Sequence, residues 1–123
     1  MPVKRNIEYN VTPKTVDSGE RWVTVELKNI GTEDLSGLSI RMNSLDTFGL
    51  TVHDEGKYLP NFAAGESETF FFRITAKDTT KTYITLEGWK ETERFYWESP
   101  WITISVSKEK AEIETVFAMA TPY

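Results

Sequence analysis

Between Arg21 and Met42, apolar side chains fall on every second residue, and this period constrains the fold more than any other feature of the chain. Val23, Val25 and Leu27 alternate with Thr24, Glu26 and Lys28. After the turn-forming stretch NIGTEDLSG, Leu38, Ile40 and Met42 alternate with Ser39, Arg41 and Asn43. Successive side chains of a strand point to opposite faces, so each run reads as a strand with one face buried and the other wet.

The same alternation recurs along the chain. Ile7, Tyr9 and Val11 alternate with Asn6, Glu8 and Asn10, and Pro13 and Ser18-Gly19 then mark a loop. A short edge strand is expected near residues 50 to 53, with Asp54-Glu55-Gly56 as a turn and Pro60 and Gly65 as further breaks. Phe70, Phe72 and Ile74 form an inward set, with Phe71 and Arg73 outward. Ile84 and Leu86 point inward, and Tyr83, Glu87 and Trp89 point outward.

Antiparallel pairing across KETE sets Trp89 opposite Arg94, Gly88 opposite Phe95, Glu87 opposite Tyr96 and Leu86 opposite Trp97. That register puts Phe95 and Trp97 on the core side. Beyond them the apolar set is Ile102, Ile104 and Val106, so the inward parity switches near Ser99-Pro100, as a β-bulge or kink would make it do. Seven short strands, no internal repeat and no helical period before residue 107 predict an all-β, antiparallel two-sheet sandwich over residues 1–106, with a single barrel as the alternative. Residues 107–123 form a C-terminal appendage. Ile113, Val116, Phe117 and Ala120 lie at helical spacing there and suggest a short helix, an extra strand or a linker being the other options.

Composition narrows the partners. The 123 residues suit one domain, and the 13% aromatic content favours strands. Fourteen basic against nineteen acidic residues give a net charge of -5, which disfavours nucleic acid and anionic lipid. No cysteine is present, so disulfides, thiolate metal sites and a thiol nucleophile are excluded. No stretch approaches the roughly 18 apolar residues of a helical membrane span, and no signal-peptide pattern follows the basic residues near the start. An exported parent would make this chain a mature fragment or an excised domain.

The run VTVELKNIGTEDLSGLSIRM, followed some twenty residues later by FAAGESETFFFRITA, resembles the CARDB family, the cell-adhesion-related domains of bacterial and archaeal surface proteins. The likeness covers about residues 20 to 106. Its pattern is a strand ending in Asn-x-Gly, a polar turn, a second strand, and later an apolar-x-x-Gly-Glu turn that launches a strand. Asn29, Gly31, Gly65 and Glu66 occupy those positions. The resemblance implies an immunoglobulin-like sandwich, an extracellular or cell-surface location, and a non-enzymatic role in adhesion or spacing. Gly31 and Gly65 are expected to permit positive φ, and the Asn29 side chain to bond local backbone at the strand exit.

Catalytic constellations are thin. His53 is the sole histidine, beside Asp54 on a turn, and no Gly-x-Ser-x-Gly elbow occurs, so a nucleophilic triad is not expected. Glu87 and Glu98 project from neighbouring strands as a glycosidase pair would, yet no cleft is predicted around them. No cofactor is expected. The acidic turns Glu33-Asp34 and Asp54-Glu55 leave calcium as a possible ligand, without the spaced pattern of an EF-hand loop. Asn10-Val11-Thr12 is a formal glycosylation sequon followed by Pro13.

The outward face around YITLEGWKETERFYW is the most informative feature. Tyr83, Glu87, Trp89, Arg94 and Tyr96 are the candidate ligand-binding residues, and Ser39, Arg41 and Asn43 widen the patch if their strand is the neighbour. Aromatic rings flanked by hydrogen-bonding groups suit a polysaccharide or a protein surface, giving a carbohydrate-binding module as the alternative function. The competing reading is a cross-strand ladder that only stabilises the sheet. Trp22 and Phe71 are expected as single exposed aromatics.

Overall fold

The computed structural model describes residues 7–107, and every regular element among them is a strand. In chain order these are β1 (Ile7–Thr12), β2 (Thr15–Asp17), β3 (Gly19–Asn29), β4 (Leu35–Ser44), β5 (Leu50–Val52), β6 (Lys57–Phe62), β7 (Ser67–Ala76), β8 (Thr80–Lys90), β9 (Glu93–Glu98) and β10 (Ile102–Ser107). One sheet has the order β1-β3-β7-β5. The other runs β2-β10-β8-β4-β6, with β9 paired to the same strand, β8, as β10.

The inward sets read from the two-residue period meet between the sheets. Val23, Val25, Phe72 and Ile74 of one sheet are fully buried, as are Leu38, Ile40, Ile84, Leu86 and Ile104 of the other. Tyr9 of β1 and Trp97 of β9 close one side of this core, their ring centroids 5.6 Å apart across the two sheets.

The expected hairpin register is present: Trp89 opposes Arg94, Gly88 opposes Phe95, Glu87 opposes Tyr96 and Leu86 opposes Trp97. The parity switch is also present, as a slip of one residue. Thr85 pairs with Glu98, a sum of 183, whereas Thr82 pairs with Ile102, a sum of 184. Ser99 bridges the slip, donating its N–H to the Ile84 carbonyl at 2.9 Å while its hydroxyl accepts the Ile84 N–H at 2.8 Å. A side chain thus supplies the acceptor that the interrupted ladder lacks.

Two strands lie where loops were expected. β2 occupies the stretch after Pro13 and pairs in parallel with β10, Val16 against Val106. β6 runs through Pro60, an expected break. Pro60 sits on an edge strand opposite Gly37, the one interior position of the β4–β6 ladder with no pair, so its missing N–H leaves no ladder bond unmade. Gly37 itself has φ +56° and marks the register shift between Ser36 and Ser39 against β8.

Asn29 is buried and fastens one end of the sandwich. Its side-chain amide donates to the carbonyls of Glu33 at 3.0 Å and Phe62 at 2.9 Å, and its carbonyl oxygen accepts the Gly31 N–H at 3.0 Å. Its backbone bonds both sides of the next turn, with the Asn29 N–H donating to Glu66 O and the Gly65 N–H donating to Asn29 O. Gly65 takes φ +86°, as expected. Gly31 does not enter the left-handed region, because the Asn29 side chain closes its turn without requiring it. Glu66 caps the same turn by accepting the Ala63 N–H at 2.8 Å.

The strand directions give the sandwich two distinct ends. Ile7 lies opposite Asn29, and Ser107 lies opposite Asp17 beyond the other end of β3. The described chain therefore enters at one end and leaves at the other, along an eleven-residue strand about 35 Å long.

Candidate binding face

The outer face of β6-β4-β8-β9 gathers most of the expected site. One row across it is Tyr58, Ser39, Glu87 and Tyr96, from four successive strands. The next row toward Asn29 is Ser36, Trp89 and Arg94. On the other side lie Arg41, Thr85 and Glu98, and beyond them Asn43 and Tyr83. Glu87, Trp89, Arg94 and Tyr96 are thus immediate neighbours, whereas Tyr83 stands apart and half-buried, with Asn43 donating to its carbonyl.

Much of the polar chemistry here is already partnered. Arg94 donates to Glu87 at 3.0 Å, and its guanidinium carbon lies 5.2 Å from the Trp89 ring centroid. The Trp89 indole also rests above Gly37, where an added Cβ would come within 3.3 Å of its Cδ1 and 3.8 Å of the Tyr58 hydroxyl. The Tyr96 hydroxyl donates to Glu98 at 2.9 Å; this bond first, then slight burial and nearby negative charge, holds its phenol above the ordinary tyrosine value. Arg41 differs, since its guanidinium has no hydrogen bond or ion pair among the described residues.

Tyr58, 66% exposed, is a member of this face that the pattern did not reveal, because Pro60 made its segment look broken. The pairing of a short edge strand with β4 was the missing information. Trp22 and Phe71 lie closer together than single aromatics would: Trp22 opposes Arg73 and Phe71 opposes Thr24, making them diagonal neighbours on the other sheet.

Other candidates have structural partners. His53 is exposed and places Nε2 2.6 Å from the Thr75 hydroxyl, while the neighbouring Asp54 carboxylate accepts the Arg73 N–H. Glu87 and Glu98 lie exposed on a sheet surface, one paired with Arg94 and the other accepting from Tyr96. In the acidic turns, Glu33 pairs with Lys90 at 3.2 Å and Asp34 accepts the Ala64 N–H, while Asp54 accepts the Arg73 N–H and pairs with Lys57. No group of three or more His, Asp or Glu able to hold a metal occurs among the described residues. A cavity of about 100 Å³ lies by Asn29, Glu33, Lys90 and Phe95; it has room for a few waters at about 30 Å³ each, not for a sugar ring.

No protein-family model matches the sequence, and no curated protein matches it. Solved structures do share its fold. A Salmonella alpha-2-macroglobulin mutant superposes with TM-score 0.67 at 16% identity, over 85% of this chain and 7% of that one. Escherichia coli alpha-2-macroglobulin gives TM-score 0.64 at 15% identity, over 82% of this chain and 16% of that one. A chain of the complex between Zinc 2-glycoprotein and Prolactin inducible protein from human seminal plasma gives 0.58 at 13%, over 82% and 93%. The fold is an immunoglobulin-like β-sandwich. In that scheme β1-β3-β7-β5 are strands A-B-E-D, and β9/β10, β8 and β4 are G, F and C, with β6 added beyond C.

Proposed function

We propose that this chain is a non-enzymatic module of a larger cell-surface protein, working in adhesion or as a spacer in the manner of CARDB domains. The observation that carries this reading is the placement of Ile7 and Ser107 at opposite ends of the sandwich. A unit threaded in this way adds its own length, about 35 Å, to a string of domains. Two further features support it. The matched region is only 7% and 16% of the two macroglobulin chains, and the carboxylates and histidine considered for catalysis are engaged in turns and cross-strand pairs. The contact surface of an adhesion module would be the face bearing Trp89, Arg94, Glu87 and Tyr96.

Replacement in the parent protein tests this. An antibody to the module is expected to label intact cells. Exchanging the module for an unrelated sandwich of equal length should preserve cell attachment if it spaces, and abolish attachment if it adheres. Labelling only after cell lysis would overturn the surface assignment.

A further inference from the structure

We infer that the outer face of β6-β4-β8-β9 binds an uncharged polysaccharide laid across the strands, with Tyr58 and Tyr96 stacking on sugar rings and Arg41 and Ser39 donating to hydroxyls. This rests on the adhesion reading above and supplies its ligand class. Tyr58 and Tyr96, 66% and 57% exposed, end a single row whose middle is Ser39 and Glu87. Three interstrand spacings put the two backbones about 14 Å apart.

The arrangement inverts that of a protein interface. Protein partners need an apolar centre sealed by a polar rim, and here the centre is polar with rings at the ends. A sugar chain has the complementary alternation, because each ring offers apolar C–H faces and a hydroxylated edge. Charge favours a neutral polymer. Glu87 and Arg94 neutralise one another, Glu98 holds the Tyr96 hydroxyl, and the whole chain carries -5, so an acidic polymer would be repelled. Arg41 stands in the neighbouring row with no hydrogen bond or ion pair among the described residues, leaving its donors for hydroxyl oxygens. Trp89 is not the anchor in this arrangement, since Arg94 lies over its ring and Gly37 beneath its edge.

Affinity electrophoresis and calorimetric titration of the full chain against soluble β-glucan, xylan, galactomannan and dextran test the inference. The parent is expected to bind at least one of them saturably. Tyr58→Ala and Tyr96→Ala should each weaken that binding about tenfold or more, and Arg41→Ala should weaken it less, all three variants keeping the parent's thermal transition. Overturning results are no binding by the folded parent, binding indifferent to both tyrosine substitutions, or binding lost only in Trp89→Ala. Should cells expressing Tyr58→Ala lose attachment while the parent binds none of the four polymers, the partner is a protein; the glycan assignment falls and the adhesion reading stands.

Discussion

Asn29 links both sheets at one end because its side chain reaches carbonyls in the following turn and in β6, 33 residues along the chain. Asn29→Ala would leave two carbonyls and the Gly31 N–H without their partner in a buried site. A loss of about 2–4 kcal/mol is expected in urea denaturation. Asn29→Asp should do no better, since a carboxylate cannot donate to those carbonyls. Gly88 is equally restricted: a Cβ there would lie 2.7 Å from the Ser36 carbonyl and 2.9 Å from the Gly37 carbonyl, neither of which can swing aside. Gly88→Ala should therefore cost about 1–3 kcal/mol through overpacking against backbone. Tyr96 offers a spectroscopic check on the face. Its phenol is raised chiefly by the hydrogen bond to Glu98, so Glu98→Ala should lower its titration midpoint toward the ordinary 10.0, followed by phenolate absorbance.

The strand along the free edge of β8 is one element broken by a one-residue slip. Inserting one residue after Pro100 while the slip stays at one residue would set Trp101 opposite Thr82 and turn Ile102 and Ile104 outward, both of which are buried. Each buried side chain contributes about 1.5–3 kcal/mol, so the pair amounts to a large part of a typical domain's stability. The insertion variant is expected to lose its cooperative thermal transition. The slip was legible in sequence because Phe95 and Trp97 are odd while Ile102 and Ile104 are even. β2 was not legible, because three residues are too few to show a period, and neither was β6, because a proline that is harmless on an edge looks like a break. In the β8–β9 turn, Glu91 takes φ +57°, a conformation costing an L-residue about 1–2 kcal/mol. Glu91→Gly should raise the urea midpoint slightly, the relief exceeding the glycine's own entropy cost of about 0.5–1 kcal/mol.

At the scale of the molecule, the direction of the end strands decides how tension would act. β1 and β10 both run from the Asn29 end toward the opposite end, so a pull on the two ends drags them in opposite senses along their axes. The β1–β3 ladder is then sheared as a unit and not opened bond by bond. Force spectroscopy should find a higher unfolding force through the chain ends than between residues 7 and 92, which lie at the same end and would peel strands apart. A spacer under load needs that resistance. The outer face of β6-β4-β8-β9 lies on the flank of the long axis, where the proposed neighbouring modules at either end would leave it open.

What the sequence determined by itself is local and periodic: which side chains face inward, the β8–β9 register across a tight turn, and the parity switch at Ser99-Pro100. Those follow from the two-residue repeat of an extended chain and from turn geometry. What only the tertiary structure decided is which strands become neighbours. The period assigns Tyr58 and Arg41 no partner strand, and only the β6-β4-β8-β9 order sets Tyr58, Ser39, Glu87 and Tyr96 in one row. The parallel β2–β10 contact and the reach of Asn29 into β6 have the same origin. Each joins residues far apart in the chain, and such pairings are selected by burial of the shared core, not by any local preference.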